Sequence, residues 1–255
     1  MDNLGKITVV AKDGEARVGK AFIKLHGGVS KMFRTKSIQS LKNFVVSQKA
    51  SDKSYPTIEI YFNEDKIIVV SLDSALPVGM LPVAECTIKE SPEVCILQQY
   101  QNHKLSIDAM EGALLRLRDT MDVNAKTILD FCSNAIIRKL VSVNRSKDNK
   151  GNLNLSVKWE SGQGDCGFPE TIKFTVPVIE CMDDTFTFEF DSRLELSGEC
   201  NVSLSFINLN FETQLNEYKR KLIHRELKEL DFPKYWGEVE IIRHTNEWLY
   251  KINGL

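Results

Sequence analysis

The residues best suited to chemistry in this chain are six cysteines, four histidines and a cluster of carboxylates. Cys86, Cys95, Cys132, Cys166, Cys181 and Cys200 are scattered, and no two form the C-x-x-C pair that metal and redox motifs use. His26, His103, His224 and His244 lie in no local signature, and there is no H-x-x-x-H to place two ligands on one helix face. A Cys–His nucleophile also needs an orienting group that converges on both side chains, and nothing in the spacing requires it. Cys132 falls in an apolar helical stripe and reads as a small hydrophobe, and Cys181 lies beside a hairpin turn. Asp183, Asp184, Glu189, Asp191 and Glu195 cluster in sequence. The last three alternate with apolar residues around Arg193, which is the pattern of a solvated strand face.

Two glycine motifs fail on context. His26-Gly27-Gly28 resembles an oxyanion loop, but no G-x-S-x-G elbow supplies a nucleophile. Gly162-Gln-Gly164-Asp-Cys-Gly167 spells the dinucleotide fingerprint, whose pyrophosphate sits on the N-terminus of a following helix. Here Phe168-Pro169 and a strand pattern follow, so the motif reads as a turn between strands. No catalytic, cofactor-binding or metal-binding residue is assigned, no cofactor is expected, and the sequence leans away from an enzyme.

Surfaces are more informative. Arg138, Lys139, Arg145, Lys147 and Lys150 gather where a long helix is expected to end, and are candidate nucleic-acid contacts. Lys219-Arg220-Lys221, His224, Arg225 and Lys228 enrich the last helix, where Glu212, Glu217, Glu226 and Glu229 are interleaved and i,i+4 pairing accounts for both signs. Thr175, Thr185, Thr187, Ser203 and Ser205 lie on the polar side of alternating strands. Short hydroxylated side chains lose little rotamer entropy when covered, which makes them a candidate partner surface.

The elements that carry these residues follow from hydrophobic period. Ile7 to Val10 and Ala21 to Leu25 read as strands, with Asp13-Gly14 as a turn. Ser37 caps a helix with Ile38, Leu41, Phe44 and Val45 on one face. Thr57 to Phe62, Asn63-Glu-Asp65 and Lys66 to Leu72 read as a hairpin. Pro77, Pro82 and Pro92 predict an irregular crossing from Asp73 to Pro92. Two helices follow, one through Ile107, Met110, Leu114 and Leu117. The other is capped by Asp122, with Ile128, Phe131, Cys132, Ala135, Ile136 and Leu140 as its stripe.

Three runs of period two, over Ile172 to Val178, Phe186 to Leu196 and Val202 to Phe206, predict an antiparallel meander. Phe174, Phe188 and Leu204 fall on its buried face. Phe211, Leu215, Tyr218, Leu222 and Leu227 of a last helix are expected to cover that face. A strand from Glu238 to Arg243 and a tail around Trp248 end the chain. The fold class is α+β, antiparallel meanders with one face under amphipathic helices. One domain, 1–255, is expected, with an internal boundary that separates subdomains 1–92 and 93–255.

The 255 residues carry 33 Lys plus Arg against 35 Asp plus Glu, for a net charge of −2. That balance argues against a coat of bulk positive charge for DNA or membranes. The N-terminal stretch has charges at Asp2, Lys6, Lys12 and Asp13 and no apolar h-region, so no secretory signal is expected. Reduced cysteines and a cytoplasmic location follow as expectations.

Met32-Phe-Arg-Thr-Lys-Ser-Ile-Gln-Ser-Leu-Lys-Asn-Phe44, the hairpin from Thr57 to Leu72, the central helices, Phe168-Pro-Glu-Thr-Ile-Lys-Phe-Thr-Val-Pro177 and the strand from Thr185 to Leu196 come in a telling order. In that order the chain resembles the YfdQ-like family of phage and prophage proteins, a family of unknown function. Gln98-Gln99-Tyr100 stands where an aromatic-rich stretch is expected. The resemblance implies a phage or prophage accessory protein acting in the cytoplasm of an infected bacterium. It would bind a host or phage protein, with inhibition of host defence as one version, and homo-oligomerisation is a further expectation. The alternative is a nucleic-acid-associated protein of phage replication or recombination, and a weaker one is an enzyme whose site is assembled from distant residues. No membrane partner is expected.

Overall fold

A computed structural model describes residues 9–12, 15–18, 21–25, 33–51, 58–72, 80–137, 140–147, 153–160, 162–196, 202–244 and 247–253. Along the chain, β1 (Val9–Lys12), β2 (Glu15–Val18), β3 (Ala21–Leu25) and β4 (Phe33–Thr35) precede α1 (Ile38–Ser51). Strands β5 (Ile58–Phe62), β6 (Lys66–Leu72) and β7 (Met80–Thr87) follow. Then come α2 (Pro92–Tyr100), β8 (Leu105–Ser106), α3 (Ile107–Arg116) and α4 (Val123–Ile137). Strands β9 (Leu140–Lys147), β10 (Leu153–Trp159), β11 (Gly162–Phe168), β12 (Thr171–Pro177), β13 (Thr185–Leu196) and β14 (Val202–Ile207) lead to α5 (Phe211–Lys228). The chain closes with β15 (Lys234–Trp236), β16 (Glu238–His244) and β17 (Glu247–Asn253). The class is α+β, and the chain forms two compact units, Met1–Lys89 with Asn216–Leu255, and Glu90–Leu215. The first unit is discontinuous, because the chain from Asn216 onward returns to it and does not stay with 93–215.

That first unit holds a seven-stranded mixed sheet in the order β1-β2-β15-β5-β6-β7-β4 and a three-stranded sheet β16-β17-β3. The expected hairpin is present. Asn63 accepts hydrogen bonds from the Asp65 and Lys66 amides at 2.9 and 2.8 Å, which fixes the turn between β5 and β6. Ser37 caps α1 through its hydroxyl, which accepts from the Ser40 amide at 3.2 Å. Ile38, Leu41 and Val45 are buried, and Phe44 stacks on Phe33 at 4.6 Å. The irregular crossing expected from Asp73 is a strand over Met80–Thr87, while 73–79 lie outside the described residues. Pro82 stands opposite Val70, beside the slip in β6–β7 register between Val69 and Val70, and an irregularity of this kind is where strands accept proline. The Trp248 tail is also a strand, paired with β16 and β3.

The second unit holds the meander, in the order β12-β13-β14-β8. Phe174 pairs with Phe188 and Leu194 with Leu204, and all four are buried. Strand β13 pairs with β12 through its first half and with β14 through its second, and the two partners meet at Asp191. The Glu189 carbonyl accepts from the Asn208 side chain at 2.9 Å, so this edge is satisfied where β14 has ended. Helices α2 and α4 pack on β12, and α3 packs on β14. Phe211 lies 4.6 Å from Phe188 and 5.8 Å from Phe190. Of the last helix, then, Phe211 and Leu215 belong to this unit, whereas Tyr218, Leu222 and Leu227 belong to the other.

Three features of this unit differ from expectation. Ser91 and Pro92 open α2, a helix absent from the sequence reading; Ser91 is the N-cap and Pro92 takes N1, where no amide is needed. Helix α4 stops at Ile137 and Leu140 begins a strand, so the i,i+4 apolar spacing ran on past the helix end. Strands β11-β10-β9 form a separate antiparallel sheet.

Candidate nucleic-acid interface

Arg138, Lys139 and Lys150 lie outside the described residues, and Arg145 and Lys147 belong to strand β9, not a helix end. In register they stand opposite Leu155 and Leu153 of β10. The helix-dipole argument therefore does not apply to Arg145 and Lys147.

The hydroxyl face is only partly available. Thr175, Thr185 and Thr187 are exposed and Ser203 is half-buried, but Ser205 is 7% exposed and sits opposite Arg193. Thr175 and Thr187 share a hydrogen bond of 2.8 Å across the strands. Ion pairs Lys173–Glu189 at 2.9 Å and Lys104–Glu195 at 2.5 Å flank them. Much of the hydrogen-bonding capacity of this face is used within the sheet.

The remaining motifs take structural places. Gly162 to Gly167 lies within β11, paired along its length with β10, so it is a strand and not the expected turn, and β12 follows it. His26-Gly27-Gly28 and Cys200 lie outside the described residues. Cys86 and Cys132 are buried, and burial pushes both thiols up to about 12. Cys95 and Cys181 are exposed, and Cys181 adopts a positive φ of 68° in the turn before β13. Glu189, Asp191 and Glu195 are exposed, as the alternation requires, and among the described residues no group of three or more His, Cys, Asp or Glu could hold a metal. Glu59 accepts from Tyr61 at 2.6 Å and from Tyr235 at 3.4 Å, and the two rings stack at 5.0 Å on neighbouring strands. Burial and the Glu59 charge hold both phenols above their ordinary range.

Helix α5 carries the strongest charge pattern. Glu217, Arg220, Lys221, His224, Arg225 and Lys228 recur at i, i+3, i+4, i+7, i+8 and i+11, so they share one face, and they line an open groove of about 590 Å³. Lys221, Arg225 and Lys228 are exposed, and Arg220 and His224 are half-buried. The Arg220 guanidinium lies 4.5 Å over the half-buried ring of Trp236, and His224 is 6.3 Å from Phe62.

Of the acids expected to neutralise this face by i,i+4 pairing, Glu217 stays on it, four residues before Lys221, whereas Glu226 and Glu229 are engaged by a cation from another helix. Glu226 and Glu229 reach Lys42 of α1 at 3.2 and 2.5 Å. Lys42 is 7% exposed. Burial alone would lower its ammonium, but hydrogen bonds and charge from Glu229 and Glu226 outweigh it and raise the group. For Glu226, burial is outweighed by Arg225 and Lys42, and its carboxyl is lowered. Arg225 holds Glu226 from the stripe side at 2.9 Å. Lys219 turns inward to Asp65 at 3.4 Å and is 2% exposed, so it is not part of the stripe. Sequence reasoning found the cations but missed Lys42 and Trp236, since neither shares a local pattern with α5.

No protein-family model matches the chain, and no curated protein sequence matches it. Among the described residues, no helix is long and apolar enough to cross a membrane.

Proposed function

We propose that this is a non-catalytic binding protein whose partner is a nucleic acid, held through the basic stripe of α5. The observation that carries this reading is the alignment of Arg220, Lys221, Arg225 and Lys228 on one face beside Trp236, with Glu217 the acid among them, Glu226 shared between Arg225 and Lys42, and Glu229 engaged by Lys42. A chain of net charge −2 has no bulk attraction for phosphates, so binding must come from a local concentration of cations. An aromatic beside such a stripe suits a base or sugar as well as a phosphate, and favours nucleic acid over an acidic protein.

The test is fluorescence anisotropy with labelled single-stranded and duplex oligonucleotides over a salt series. About three or four released counterions predict a log–log slope near −3 for duplex and somewhat shallower for single strands. Lys221→Glu with Lys228→Glu should weaken binding by at least about tenfold and flatten the slope by about two. Absence of salt-dependent binding by the unaltered protein, or an unchanged double variant, would rule the stripe out.

A further inference from the structure

We infer that Lys42 is a positioning residue for the α5 site: by engaging Glu229 it keeps that carboxylate off the basic stripe, and by sharing Glu226 it weakens the hold of that acid on Arg225. The inference rests on the nucleic-acid reading above. Lys42 comes from α1, and its side chain is 9% exposed, whereas the Glu229 side chain is 73% exposed and held only at its tip. Glu229 stands one residue past the end of α5 and four residues after Arg225. It is also next to Lys228. Without Lys42, Glu229 would be released toward Arg225, and Glu226 would keep Arg225 with no second cation to share it. The stripe would then face phosphate with Glu229 uncompensated at its end and Arg225 claimed by Glu226 alone.

Lys42 therefore acts on the ligand through the carboxylates it holds and not by contact. A carboxylate released to about 10 Å from two phosphates in water changes affinity about fourfold, whereas a pair of charges held beyond about a Debye length is largely screened. Lys42→Met should weaken oligonucleotide binding by about that factor, with its far-UV spectrum unchanged. Lys42→Arg should bind as the unaltered protein does, because a guanidinium can hold both acids. The decisive readout is a cycle with Glu229→Gln. In the Lys42→Met background this substitution should recover most of the loss, whereas with Lys42 present it should change affinity less than about twofold.

Should Lys42→Met fail to fold, Lys42→Met with Glu226→Gln and Glu229→Gln removes both carboxylates that Lys42 holds. It should bind at least as tightly as the unaltered protein. Equal affinities for Lys42→Met and the unaltered protein, or equal effects of Glu229→Gln in both backgrounds, would overturn the role of Lys42 and leave the stripe standing. Failure of the unaltered protein to bind at all overturns the stripe, and the inference falls with it.

Discussion

Phe174 of β12 and Phe188 of β13 are directly paired, and both are fully buried. They belong to an aromatic cluster in which Phe190 lies 5.7 Å from Phe174 and 5.3 Å from Phe206, with Phe211 closing over Phe188. Phe188→Ala should cost about 3–5 kcal/mol, because the rings around it cannot all collapse into the space. Its neighbour Glu189 is exposed and pairs with an exposed Lys173. Glu189→Ala should therefore change stability by less than about 1 kcal/mol. Urea unfolding of both variants checks the contrast, and similar costs would contradict the register.

The meander was legible because period two repeats three times with one face buried, and a slip of one residue would have turned Phe188 out to water. The caps at Ser37 and Asp122 were legible for the same kind of local reason; the Asp122 carboxylate accepts from the Ala125 amide at 2.8 Å. Strands β9 and β10 were passed over although Leu153, Leu155 and Val157 alternate plainly, because the helical stripe ending at Leu140 competed for the preceding residues. Pro82 looked like a breaker because a register slip is a property of two strands and not of one. The site shows the same division. The cations of α5 can be read from spacing alone, but Lys42 is 184 residues from Glu226, and only tertiary structure brings them together.

Ser91 joins two elements. Its hydroxyl accepts from the Val94 amide at 3.1 Å and donates to the Pro177 carbonyl at 2.6 Å, and the residue is 2% exposed. Ser91→Ala loses the cap and the buried hydrogen bond to the Pro177 carbonyl, for an expected cost of about 2 kcal/mol. Ser91→Thr should recover most of it. Thermal unfolding of the pair measures the difference, and an alanine variant as stable as the parent would show that water replaces both bonds.

The thiols should separate into two kinetic classes. Burial raises Cys86 and Cys132 from an ordinary 9.0 to about 12, a drop in thiolate fraction of about a thousandfold near neutral pH. Cys95 and Cys181 are exposed. Brief alkylation of the native protein followed by peptide mapping should label Cys95 and Cys181 and spare Cys86 and Cys132. Labelling of either buried thiol at the exposed rate would mean that its unit opens readily.

The Lys42–Glu226 pair sets a pH window for the first unit. Glu226 has a folded carboxyl below its ordinary 4.5, so its contribution is complete above that value and is lost as pH falls through the lowered one. Lys42 has a folded ammonium above its ordinary 10.5, so its contribution is complete below that value and is lost as pH rises through the raised one. Arg225, the other cation on Glu226, stays charged throughout and cannot shift either limb. At neutral pH, Lys42→Met should be less stable than the parent by about 1–3 kcal/mol, between the values for exposed and buried pairs. The difference should shrink on the acid side as Glu226 takes up a proton, and on the alkaline side as Lys42 of the parent loses one. Urea midpoints of both proteins between about pH 3 and pH 11 measure it. A stability difference that stays constant across that range would mean that Lys42 contributes through its methylene packing and not through its charge.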